Sequence, residues 1–194
     1  MTRRMTGAAL LALVGLAACG GGGGGGAGGG AEVTFDGLSQ LGTRLVDDYA
    51  NAAATPVENL PSGRVTYRGA AAYRAGIHSQ DDILAAPDSL SVVRFNADFA
   101  SGMVSGAATD FRASDGASIE GSLRFEDAPL QGSVFASPIG GSLTTQGVRT
   151  DYAGTLVGEF VGPDAPAISG SANAIVSVGG VEQGTVSAVF GAER

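Results

Sequence analysis

The stretch ISGSANAIVSV (residues 168–178), Gly179-Gly180, VEQGTVSAVF (residues 181–190) decides the fold of this chain. Glycine reaches positive φ without steric cost, so a Gly-Gly pair between two extended runs reads as a tight β-hairpin. The period-two pattern continues upstream as far as Gly63. Val65, Tyr67, Ala71 and Tyr73 recur in this pattern, and so do Val93, Phe95, Ala97 and Phe99. Ala100-Ser101-Gly102 reads as a turn into a run over residues 103–111. Ile119, Leu123 and Phe125 share one face, with Glu120, Ser122 and Arg124 on the other. Residues 130–136 and 142–145 are shorter strand candidates, and Tyr152, Leu156 and Phe160 alternate with Thr155, Val157 and Glu159. The count is about eight strands joined by short turns.

No helical pattern of ~10–15 residues interrupts these strands, which argues against a parallel α/β sheet. Of the antiparallel solutions, a barrel is favoured over a sandwich, because closure removes exposed edges. The strands are read to carry Gly69, Gly106, Gly121, Gly132, Gly154, Gly158 and Gly170. Strand glycines mark bends or close backbone approaches, which suits a small, tightly coiled barrel. Outward positions carry Arg94, Asp98, Asp110, Glu120, Arg124 and Glu159. Charges at mid-strand are costly in lipid, so the expected barrel is a soluble body, not a membrane-spanning one.

One helix is expected ahead of the barrel, from Phe35 to about Ala54. Leu38, Leu41, Leu45, Val46, Tyr49 and Ala53 form an apolar stripe at helical spacing, Asp36 is the candidate N-cap, and Pro56 and Pro61 end the segment. The one-sided stripe predicts packing on the barrel, with partner binding as the alternative. The expected fold class is therefore mainly β: a single eight-stranded antiparallel β-barrel preceded by one short amphipathic helix.

The first residues read as an address. Arg3 and Arg4 make a basic n-region, and residues 8–18 are an apolar run too short to span a bilayer. Leu16-Ala17-Ala18-Cys19 follows, with the only cysteine of the chain. This arrangement resembles the lipobox of bacterial lipoproteins, in which the signal is cut before a cysteine whose sulfur carries a diacylglyceryl group. An ordinary signal peptide with an incidental cysteine is the alternative. The absence of any other cysteine and the glycine run directly after Cys19 favour lipidation. Residues 20–30 are glycine apart from Ala27, a flexible tether with an end-to-end distance of roughly 17–20 Å. The expected organisation is a signal over residues 1–18, a lipidated Cys19 and tether over 19–31, helix and loop over 32–62, and the barrel over 63–194. Two or more acyl chains on Cys19 give stable membrane attachment where one does not. Gly20 is not the acidic residue associated with inner-membrane retention in some bacteria, so the outer membrane is the expected location.

The whole chain has 11 basic and 19 acidic residues, a formal net charge of −8. Cleavage before Cys19 would remove Arg3 and Arg4, leaving nine basic residues against 19 acidic ones and a charge near −10. Such a body repels nucleic acid and anionic headgroups. With Cys19 lipidated no thiol remains for a disulfide, so the fold rests on its core. A domain of about 160 residues can do this, burying roughly 68–70% of its unfolded surface.

Residues able to carry chemistry are few. His78 is the only histidine, in a polar stretch, Gly76 to Asp82, that reads as a loop. There is no Gly-x-Ser-x-Gly elbow and no lysine at all, which removes Ser-Lys and Schiff-base mechanisms. Counts alone remove Cys/His zinc sites. Asp47-Asp48, Asp81-Asp82 and Glu126-Asp127 lack calcium-loop spacing and read as solvated pairs. Two carboxylates from distant strands could in principle act as a glycosidase pair, but nothing in the sequence points to it. No catalytic, cofactor or metal residue is therefore assigned.

Three C-terminal segments carry a family resemblance: Gly158-Glu159-Phe160-Val161-Gly162-Pro163-Asp164-Ala165, then Ile168-Ser169-Gly170, then Val189-Phe190-Gly191-Ala192-Glu193-Arg194. They resemble the signature of the β-barrel domain of transferrin-binding protein B and related surface lipoproteins, which reads Gly-x-Phe-x-Gly-Pro-x-Ala, an acidic residue with Gly-Gly, and a closing Phe-Gly-Ala-x-Arg/Lys. Phe95 to Phe111, with Asp98-Phe99 and Ser105-Gly106, resembles an upstream strand pair more weakly. Ala167 stands where the family has Glu, and Ser169 where it has the first Gly of the pair. The chain has room for one barrel and no handle domain, so transferrin binding is not carried over. The resemblance implies a soluble eight-stranded barrel on a lipid anchor, in a family used to bind host proteins or iron sources.

The expected function is a lipid-anchored envelope or cell-surface lipoprotein, not an enzyme. Its barrel would act as a binding module for a protein partner, with a host protein or iron source as the candidate class. The alternative is a periplasmic carrier with a small ligand in the barrel mouth, which the absence of tryptophan and of the lipocalin Gly-x-Trp pattern disfavours.

Overall fold

The structure is a computed structural model and describes residues 32–49 and 51–194. The signal, Cys19 and the glycine tether lie outside the described residues. Eight strands follow one another as β1 (Arg64–Ala75), β2 (Ser89–Asp98), β3 (Met103–Ala113), β4 (Ser118–Gln131), β5 (Val134–Thr145), β6 (Val148–Val161), β7 (Ala167–Val178) and β8 (Val181–Glu193). Each pairs antiparallel with the next, and β8 returns to β1 with Phe190 opposite Ala71, closing the barrel. The Gly-Gly hairpin is β7–β8: Val178 faces Val181 across Gly179-Gly180, both at positive φ.

Alternation fills the lumen with side chains. Tyr67, Phe95, Phe111, Phe125, Phe135, Phe160 and Phe190 are all buried in one cluster. Their rings meet at centroid distances such as 5.1 Å (Phe95–Phe190), 5.5 Å (Phe95–Phe125) and 5.7 Å (Phe135–Phe160). The strand glycines make this possible. Phe95 and Phe125 both sit opposite Gly106, Phe135 opposite Gly158, and Phe190 opposite Gly170. A Cβ on Gly106 would lie 2.5 Å from the Phe125 ring. A ring thus lies in the space its cross-strand partner leaves empty, the arrangement that lets glycine-rich strands curve yet stay packed. Gly132 differs from expectation: it belongs to the β4–β5 turn, at φ +70°.

The β4–β5 region is longer than its pattern suggests. Residues 130–136 hold the turn between two long strands, not a strand of their own, and β5 runs on through Pro138. The β4–β5 ladder breaks between Arg124 and Leu130, where Asp127 has positive φ. Pro138 is tolerated there because a bulged ladder spares its missing N–H. The buried Ser137 hydroxyl donates to the Glu126 carbonyl at 3.2 Å and stitches the gap.

The helix α1 spans Phe35–Tyr49, ending short of Ala54. Its N-cap is Thr34, whose hydroxyl accepts from the Gly37 N–H at 3.1 Å, and not Asp36, which lies inside the first turn. Leu38 and Leu45 are the stripe residues that become fully buried. Leu38 joins Ala70, Ala72, Ile83, Leu90 and Val189 in a second apolar cluster on the outer wall of β8–β1–β2, each fully buried leucine contributing about 1.5–3 kcal/mol. The stretch around His78, expected to be a loop, contains a second helix, α2 (Gln80–Ala85). Gly42, in the middle of α1, has open space for 4 Å around the position a Cβ would take, and its φ is not positive. Gly42→Ala is therefore expected to stabilise the fold by about 0.5–1 kcal/mol, read as a higher urea midpoint; a lower midpoint would mean that α1 needs the glycine for close approach.

Candidate binding surfaces

The two barrel ends differ. At one end the chain following α1 folds over the lumen. Ala54 bridges to Val161, and Thr55 donates its N–H to Phe160 O at 2.8 Å and its hydroxyl to Gly162 O at 2.7 Å. Leu60 and Phe99 pack on the core from this side. The Tyr67 hydroxyl donates to Ala165 O at 3.0 Å, and burial pushes its pKa up to about 12. This is the sealed end. At the opposite, α2 end the lumen is floored by Tyr73, whose hydroxyl shares a 3.0 Å hydrogen bond with the buried Ser91. Burial raises the Tyr73 pKa strongly against the opposing effect of that bond.

Along the outer wall, α1 and α2 roof a cleft of about 450 Å³ lined by residues such as Leu38, Leu45, Val46, Leu84, Ala70 and Val189. Two polar clasps hold α1 down. Arg112 Nε donates to Val33 O at 2.7 Å. Arg44 pairs with Glu193 through both terminal nitrogens, at 2.9 and 2.5 Å. The hydrogen bond from Arg44 holds the Glu193 carboxyl below its usual 4.5. A carboxyl with a depressed folded pKa adds stability above its unfolded pKa and loses it as pH falls through the folded value. The melting-temperature gap between the parent chain and Glu193→Gln is therefore expected to be small at neutral pH, where the pair is half in water, and to close as pH falls below about 4.5. A gap that persists at low pH would show that Glu193 acts by packing.

The residues singled out for chemistry have structural positions. His78 Nε2 lies 2.8 Å from Ala75 O. Next to it Ser79 caps α2, accepting from the Asp82 N–H at 3.2 Å and donating to the Asp82 carboxylate at 2.6 Å; this bond lowers the Asp82 pKa. Asp47 and Asp48 are exposed on α1, and Glu126 and Asp127 are exposed at the β4 break. Among the described residues, no three His, Cys, Asp or Glu side chains gather as a metal-holding group. Arg94, Asp110, Glu120 and Arg124 are exposed on the outer wall, with Asp98 and Glu159 partly so.

The C-terminal signature segments lie where the fold is closed. Phe160 and Ala165 are fully buried at the sealed end, and Gly162 turns at φ +82° against Pro166. Phe190 covers Gly170, Gly191 sits under Leu45 of α1, and Ala192 is fully buried. The family model for the C-lobe and N-lobe β-barrels of Tf-binding protein B matches residues 60–194. The chain belongs to that family. The quoted C-terminal residues are barrel-closing residues here, and Ala167 and Ser169 both stand within the β6–β7 pairing. Two solved structures of the vaccine antigen transferrin binding protein B from Haemophilus parasuis Hp5, a double mutant and a single mutant, are similar at 21% and 22% identity, with TM-scores of 0.46 and 0.44. Each match covers 72% of this chain and 27% or 28% of the other. The chain therefore spans about a quarter of the length of those proteins. No curated protein matches the sequence.

Proposed function

We propose that this chain is a lipoprotein anchored to the outer membrane through Cys19, whose transferrin-binding protein B-like barrel is a non-catalytic module that binds a protein partner. A host protein or an iron source is the candidate class. The observation that carries this reading is the filled lumen: with the rings of Phe95, Phe125, Phe135 and Phe190 buried together, recognition falls to loops and outer walls. The same observation weighs against a carrier holding its ligand inside the barrel. In this reading residues 1–18 are removed, residues 19–31 are anchor and tether, residues 32–62 roof and seal the barrel, and residues 63–194 bind.

Cys19→Ser is expected to abolish the diacylglyceryl mass increment on the mature chain and to move the protein from detergent phase to aqueous phase. An unmodified thiol on membrane-extracted protein would overturn the anchor. Protease added to intact cells is expected to degrade the barrel; protection until the cells are permeabilised would rule out surface display. A pull-down with the mature, delipidated chain then identifies the partner.

A further inference from the structure

The chain enters its fold at the α2 end. Val33, two residues before α1, is held there through its carbonyl by Arg112, which lies close to the β3–β4 turn. From that point α1 runs toward Glu193 and the sealed end. Any tether preceding Glu32 is therefore covalently attached at the α2 end, with the loops of the sealed end pointing the other way.

That same end carries an apolar arc. Three of its four strand connections present an exposed β-branched side chain: Ile77 between β1 and α2, Val148 after the β5–β6 turn, and Val181 after the β7–β8 turn, at 84%, 54% and 63% exposure. These connections are consecutive around the barrel. β6 pairs with β7, β7 with β8, and β8 with β1, and the Gly76 N–H donates to Thr185 O at 2.8 Å, fixing the Ile77 loop on β8. The charges beside Val148 are paired, Arg149 to Asp151 at 3.0 Å, whereas Glu182 beside Val181 and Asp81 in the Ile77 connection are exposed acids at the edge of the arc. The fourth connection, with Asp115, carries no large apolar side chain.

We infer that the arc of Ile77, Val148 and Val181 is a membrane-contacting rim that seats the α2 end on the lipid bilayer and turns the sealed end outward. The inference rests on the anchor at Cys19. Three side chains are too little apolar surface to hold a free, acidic protein on a membrane. The tether changes the balance. Twelve residues separate Cys19 from Glu32, and a flexible linker this short has a root-mean-square span of about 20 Å and gives a millimolar effective concentration. A weak interfacial contact then suffices to fix orientation, and the β2–β3, β4–β5 and β6–β7 turns become the partner-facing loops.

The test uses the single thiol and the absence of tryptophan. The mature chain, residues 19–194, retains every described residue. It is coupled through Cys19 to a maleimide lipid in zwitterionic phosphatidylcholine vesicles, which supplies an anchor whether or not the cell does and adds no anionic headgroup to repel the acidic body. Failure of the native anchor is read separately, from the mass of the Cys19 adduct. One tryptophan is placed at Val181→Trp, and in a second protein at Met103→Trp beside the β2–β3 turn. The expected result is a blue shift and several-fold stronger quenching by acyl-brominated lipid for Val181→Trp than for Met103→Trp. Adding Ile77→Ser and Val148→Ser to Val181→Trp is expected to remove most of that quenching while the melting temperature changes little. Equal quenching at both ends, no quenching at either, or stronger quenching at Met103→Trp would each overturn the inference.

Discussion

Phe95→Ala lowers the unfolding free energy by about 3–5 kcal/mol, the largest effect expected of any single truncation in the barrel. Phe95 is 1% exposed and touches three ring partners, Phe125 at 5.5 Å, Phe135 at 6.1 Å and Phe190 at 5.1 Å. Truncation removes both its transfer free energy and its dispersion contacts. The cost falls at the upper end of the range because the site cannot collapse. Gly106, opposite on β3, has no side chain to move in, and the remaining rings are fixed by glycines of their own. A domain of ordinary stability has about 5–15 kcal/mol in hand, so the variant sits near the edge of folding. Urea unfolding checks this: the midpoint falls sharply at unchanged slope. A loss below about 1 kcal/mol would mean that the ring cluster repacks freely and that the lumen lacks the interlocked packing of a close-packed core.

The barrel was legible because its dominant signals are local. Alternation such as Val93, Phe95, Ala97, Phe99, and turn pairs such as Gly179-Gly180, depend on nothing outside their own hairpin. Features set by distant contacts were not legible. The fragments 130–136 and 142–145 straddle the β4–β5 turn and cover only parts of β5, because proline disfavours a strand interior and only the β4–β5 ladder break shows why Pro138 is accepted. The six residues of α2 are too few for a helical period, although Ser79 three residues before Asp82 is a capping signal that could have found them. Thr34 displaced Asp36 as N-cap because both can accept from an exposed N–H, and the first buried residue, Leu38, sets the phase of the helix. The candidate surfaces were least legible. The cleft under α1 and the rim at the α2 end are made by residues far apart in sequence, and an exposed Val148 carries no local mark distinguishing it from a core valine.

Gly170→Ala tests the same core from the opposite side, by addition instead of removal. The new methyl group would overlap the Val157 carbonyl oxygen and the edge of the Phe190 ring, and would lie 2.9 Å from Gly158 Cα. Gly158 and Gly170 are register partners, so β6 and β7 approach backbone to backbone at this point. A flexible side chain could step aside, but a paired carbonyl cannot move without opening the ladder on both sides. Overpacking a core costs about 1–3 kcal/mol, and with backbone as the obstacle the expected loss lies at or above the top of that range. Conformational preference works the other way, since alanine suits a strand better than glycine; the observed loss is net of that gain. Phe190→Ala provides the control. If the ring were the main obstacle, adding Phe190→Ala to Gly170→Ala would recover much of the stability, giving a large favourable coupling in the double-mutant cycle. With the Val157 carbonyl as the main obstacle, the recovery is small and the double variant is less stable than either single one. Gly42→Ala, with open space around its Cβ, moves the urea midpoint up while Gly170→Ala moves it down. Two identical substitutions with opposite signs separate glycine kept for close approach from glycine that is merely present.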